Sequence, residues 1–142
     1  GDFLFLVLVL IFYSNTVIME FKIDTKDTFT IIMPEEGQID AKMTGALDVQ
    51  CQEIRQSGSN NLIIDFHNCS EMDQSAVPGL LALHEESYGQ DMSLVYTGIG
   101  KAGINILKQD ETDLLINIAP TMKEAIDIVS MEILERDLFN EE

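Results

Sequence analysis

The chain has 142 residues, 46% of them hydrophobic and 23% charged, the balance of a globular domain with a single core rather than of a disordered or repetitive chain. With 25 acidic residues against 8 basic ones, its formal charge of −17 repels phosphate backbones and anionic membrane surfaces over a Debye length of ~8 Å, which argues against nucleic-acid binding.

Phe3 to Tyr13 (FLFLVLVLIFY) is an apolar run well short of the ~20 residues a helix needs to cross a bilayer. It lacks the basic leader and small-residue cleavage site of a signal peptide, so no direct membrane insertion is expected. Either the run is buried against the domain or a second copy, or it lies upstream of a natural start at Met19. Left uncovered it would exceed the apolar patches of soluble monomers, so residues 1–18 are read as an extension that makes a homodimer if present.

From residue 19 to residue 134, short β-rich runs alternate with stretches of helical period, the pattern of an α/β domain. Met19 to Thr25 and Thr28 to Met33 read as strands joined by Lys26-Asp27, a hairpin stopped by Pro34. Met43, Leu47, Cys51 and Ile54 fall at helical spacing, with Asp40 placed to cap the start and Gly58 to close the end. Asn61 to Phe66 has the continuous apolar character of a central strand, and Gln74 to Tyr88 follows as a helix with Val77, Leu80, Leu81 and His84 on one face. Asp91 to Thr97 is a further strand, Lys101 to Lys108 a short helix, and Leu114 to Ile118 a final strand before Pro120. Thr121-Met122-Lys123-Glu124 is a capping box opening a helix whose Met122, Ile126, Val129 and Ile133 share one face. Residues 135–142 read as an acidic tail.

The chemistry-bearing residues are sparse. Cys51 and Cys69 form no CxxC pair and read as reduced thiols, a disulfide between them being the alternative. Asp40, Asp65 and Asp73 have no nucleophile or base at an interpretable spacing, so capping and loop bracing are the readings, and no catalytic residue is assigned. His67 and His84 stand alone, and no metal or cofactor is assigned. Gly98-Ile99-Gly100-Lys101 lacks the spacing of a phosphate loop and reads as a turn.

Ile64 to Ser87 (IDFHNCSEMDQSAVPGLLALHEES) resembles the signature of the STAS, or anti-sigma factor antagonist, family: a strand ending in Asp, a loop, then D-S-S-G-L-G entering a Leu-rich helix. Asp73, Ser75 and Leu80-Leu81-Ala82-Leu83-His84 match without gaps. Gly37 to Ala41 resembles the G-x-[IL]-D-A before the family's first helix, and Thr121 to Ala125 resembles its final [ST]-x-x-E-A. The resemblance spans roughly Met19 to Val129. It implies a central mixed β-sheet with helices packed mainly on one face, and a surface at Asp40 and Asp73, Gln74, Ser75, Ala76, Val77 and Pro78 that binds a protein partner, an anti-sigma factor that is also a serine kinase. The family's phosphorylated serine corresponds to Gln74, whose carboxamide accepts no phosphoryl group; Ala76 and Pro78 replace the two glycines.

Two readings of Ser75 stand together: a displaced phosphorylation site at a helix start, where an anion is electrostatically welcome, or a hydroxyl that satisfies first-turn N–H groups. The resemblance implies a cytoplasmic partner-switching module whose binding is independent of phosphorylation. A cytoplasmic regulatory subunit of a membrane transport complex is the second function carried by the resemblance. A small-ligand carrier or enzyme on the same fold is the third, and it requires a pocket with convergent polar groups.

Overall fold

The computed structural model describes residues 20–35 and 37–140, so the expectations for residues 1–18 lie outside the described residues. Strands β1 (Phe21–Thr25) and β2 (Thr30–Pro34) form the expected antiparallel hairpin, closed where the Lys26 N–H donates to the Phe29 carbonyl at 2.8 Å. The two-residue strand β3 (Gln38–Ile39) leads into helix α1 (Ala41–Gln56), and β4 (Leu62–Asp65) follows. Then come β5 (Glu71–Met72), a 3₁₀ turn at Gln74–Ala76, α2 (Val77–Gly89) and β6 (Leu94–Thr97). Helix α3 (Lys101–Gln109), a second 3₁₀ turn at Thr112–Leu114, β7 (Ile118–Ala119) and α4 (Met122–Asn140) complete the order.

The main sheet runs β1-β2-β4-β6-β7, with β1 antiparallel and the other neighbours parallel. Alternate residues of a strand face opposite sides, and both sides of this sheet are buried. Ile32, Leu62, Ile64, Leu94 and Tyr96 form one core with α1, α2 and α3. Ile31, Ile63, Val95 and Ala119 form a second with Ala125 and Val129 of α4. Among the described residues three helices therefore cover one face and one covers the other, the mixed-sheet architecture the resemblance implies. Burial on both faces explains why β4 reads as an unbroken apolar run.

Three local expectations are corrected. The last strand is Ile118–Ala119, not 114–118: Glu111, with φ 58°, turns the chain into the 3₁₀ segment, leaving Leu114 and Leu115 exposed. The buried face of α2 is Val77, Leu80, Leu83 and Ser87, while Leu81 and His84 are only partly covered, a rotation set by the crossing with α1. Residues 135–140 are not a separate tail but the last turns of α4, held where Arg136 donates to Asn61 Oδ1 at 2.8 Å and Ser93 Oγ at 3.0 Å.

Candidate functional site: a shelf of two helix starts

The site is built from two loops of the same design. Gly37, at φ 111°, turns the chain into β3, and the parallel pairing of β3 with β5 sets Gln38 opposite Glu71 and Ile39 opposite Met72. Ile39 and Met72 are buried, anchoring this small second sheet on the core. Two further backbone bonds extend the pairing at both ends, from Ser70 N–H to the Gly37 carbonyl at 3.1 Å and from Asp73 N–H to the Ile39 carbonyl at 2.8 Å.

One residue beyond this pairing each strand reaches an aspartate that starts a helix. Asp40 caps α1, its carboxylate accepting from the Met43 N–H at 3.0 Å. Asp73 caps the 3₁₀ turn ahead of α2, accepting from the Ser75 N–H at 3.0 Å. The Ser75 hydroxyl and N–H together hold the exposed Asp73 carboxyl below its ordinary range. Ser75 Oγ in turn accepts from the Ala41 N–H at 3.2 Å, so a side chain from one helix start satisfies a first-turn donor of the other.

Asp73, Gln74, Ser75 and Pro78 are exposed on this shelf and Asp40 is half-buried at its edge. Ala76 and Val77 are not on the surface: they are 0% and 9% exposed and pack into the core, because the 3₁₀ turn directs them inward. Pro78 falls in the first turn of α2, where a missing N–H donor costs little. The sequence reading missed Gly79, next to Pro78, where a Cβ would come within 2.5 Å of Thr44 Cβ, so only glycine lets α1 and α2 meet this closely. A glycine inside an otherwise Leu-rich helix was the available signal.

The remaining candidates fall elsewhere. Asp65, buried at the end of β4, accepts from the His67 backbone N–H at 3.0 Å and contacts His67 Nδ1 at 2.7 Å, bracing the loop as expected. Gly98, at φ 76°, lies across this brace, and a Cβ there would sit 2.6 Å from the His67 nitrogen. Burial depresses the pKa of His84, which lies against the Tyr88 ring. Both cysteines are free, and burial pushes the Cys51 thiol up to about 12 and the Cys69 thiol up to about 11. Among the described residues no three His, Cys, Asp or Glu side chains converge as a metal set, and no helix is long and apolar enough to cross a membrane. A cleft of about 430 Å³ beside Ile99, Ile104, Ile118 and Pro120 contains Asp113 as its single carboxylate.

The stretch that carries both helix starts, residues 20–125, matches the family model described as a STAS domain. The chain belongs to the STAS domain family. No curated protein matches this STAS domain in sequence. Solved structures do resemble it. An anti-sigma factor antagonist from Mycobacterium paratuberculosis has a TM-score of 0.64 at 16% identity, covering 80% of this chain and 95% of that one. A serine-to-glutamate variant of RsbS from Moorella thermoacetica has a TM-score of 0.65 at 19% identity, covering 82% and 98%. The Bacillus cell fate determinant SpoIIAA in its phosphorylated form gives 0.56 at 20% identity, covering 78% and 99%. At these identities the likeness is one of fold.

Proposed function

We propose that this STAS domain is a non-catalytic, cytoplasmic protein-interaction module of the anti-sigma factor antagonist kind. It binds an anti-sigma factor or related serine kinase through the shelf of Asp40, Asp73, Gln74, Ser75 and Pro78. The observation that carries this reading is the Ala41 N–H to Ser75 Oγ bond, which with the β3–β5 pairing makes two helix starts one rigid exposed surface. A surface ordered before its partner arrives loses little conformational entropy on binding.

SpoIIAA has been solved in phosphorylated and unphosphorylated forms. Phosphorylation adds roughly −1.5 to −2 charges, which beside Asp73 would oppose an interface by repulsion and desolvation. Gln74 has no hydroxyl to modify, and the Ser75 hydroxyl is already engaged with α1. These two features support binding that is independent of phosphorylation in this chain.

Calorimetric titration of the chain against purified anti-sigma factor kinases from its own organism, with and without ATP, tests this. The expected result is binding at micromolar or tighter affinity that ATP leaves unchanged, weakened about tenfold or more by Asp73→Ala. Intact mass after ATP treatment is expected to gain no phosphate; a gain abolished by Ser75→Ala would move the switch to Ser75. Failure to bind any of these kinases overturns the reading.

A further inference from the structure

The outer edge of β1 has an unusual charge pattern for so acidic a protein. The Lys26 N–H donates to Phe29 and the Glu35 N–H to the Glu20 carbonyl, both on the β1–β2 ladder. In an antiparallel ladder the hydrogen-bonded pairs alternate, so the even-numbered residues of β1 bond to β2. The backbone N–H and C=O groups of Phe21, Ile23 and Thr25 then point away from β2, to the outer edge. Among the described residues nothing pairs with that edge, and Lys22 to Thr25 are all exposed. Ile23 retains 41% of its surface.

We propose that this edge pairs with the same edge of a second copy of the chain, antiparallel about a two-fold axis at Ile23. In that register Ile23 faces its own counterpart and Phe21 faces Thr25 of the other copy, so the outward backbone groups of three residues per strand are satisfied by about six hydrogen bonds. Lys22 of each copy comes opposite Asp24 of the other, in the non-hydrogen-bonded positions where side chains approach closest. The neighbouring two-fold registers lack this match: centred on Lys22 they oppose lysine to lysine, and centred on Asp24 aspartate to aspartate.

Charged edges ordinarily prevent strand-to-strand association, but here they select one register. Lys22 and Lys26 are two of only 8 basic residues in a chain of charge −17, and both lie at this edge, so the strip is locally near neutral where most of the surface repels a second copy. At present each lysine is paired within the chain, the exposed Lys22 with the half-buried Glu35 at 3.5 Å and Lys26 with the exposed Asp24 at 3.1 Å. Surface pairs of this kind are worth little, so their rearrangement opposes the dimer weakly.

Sedimentation of the full chain with Lys22→Asp, Asp24→Lys and the double exchange tests the proposal, circular dichroism confirming that each variant is folded. The chain is expected to dimerise, each single reversal to raise the dimer dissociation constant about tenfold, and the double exchange to restore it. The single variants change net charge in opposite directions, so a general charge effect would move them apart whereas this register weakens both. A monomeric chain, a dimer indifferent to both reversals because the contact lies in residues 1–19 or elsewhere, or a double exchange without rescue overturns the proposal.

Discussion

At the scale of single residues, Tyr88 is the polar junction between helix, sheet and the opposite layer. Its hydroxyl donates to Glu132 Oε1 at 2.7 Å and accepts from Asn117 and from the Leu94 N–H. Burial first, and then the Glu132 carboxylate, push Tyr88 up to about 12. Because the folded value lies above the ordinary 10.0, the stability linked to the protonated phenol is complete below pH 10 and is lost as pH rises through about 12. Tyr88→Phe should cost about 1–2 kcal/mol at neutral pH, since it leaves Glu132 and Asn117 without that partner. Urea unfolding along a pH series should find this gap between wild type and variant closing from pH 10 upward. A gap that stays constant to pH 12 would mean that the phenol is not coupled to folding.

At the scale of elements, the contact of α1 with α2 decides how the two starts of the shelf meet. Thr44 is buried on α1, its hydroxyl donating to the Ala41 carbonyl, and Gly79 lies against it on α2. A methyl group at position 79 meets a short β-branched side chain with little room to move, so the helices must separate or shift. Gly79→Ala should therefore destabilise the fold by about 1–3 kcal/mol despite its better helix propensity, measured by urea unfolding. The same substitution should loosen the Ala41–Ser75 bond, detected as faster amide exchange at Ala41. Stabilisation instead would show that the contact relaxes without cost.

At the scale of the whole molecule, the asymmetry of the layers gives α4 a particular burden. Among the described residues it alone covers the second core, through Ala125 and Val129, and its last turns reach past the sheet. Arg136 ties that overhang to the starts of β4 and β6 through Asn61 and Ser93. Asn61 Oδ1 also accepts from the Ser93 N–H at 3.1 Å, so one guanidinium closes a small network. Arg136→Ala should lower stability by about 1–2 kcal/mol and fray the end of α4, as read by urea unfolding and amide exchange over residues 134–140. Beyond Arg136, Leu138 and Phe139 are exposed at 57% and 77%, so truncation there should cost much less.

The sequence by itself determined what depends on neighbours a few residues apart. The hairpin, the helical faces of α1 and α4, the Asp40 cap and the Thr121 cap, with the Glu124 N–H at 3.2 Å from Thr121 Oγ1, are interactions of short range that the local pattern encodes. The family's motifs were legible for the same reason, because Asp40 and Asp73 stand at helix starts. Only the tertiary structure decided that these aspartates follow paired strands, that Ser75 reaches across to Ala41, and that Ala76 and Val77 turn inward. Two-residue strands have no periodicity to read, and the bond from Ser75 to Ala41 joins residues 34 positions apart. Such contacts form only when the packed core brings distant segments together, and that packing is a property of the whole chain rather than of any window within it.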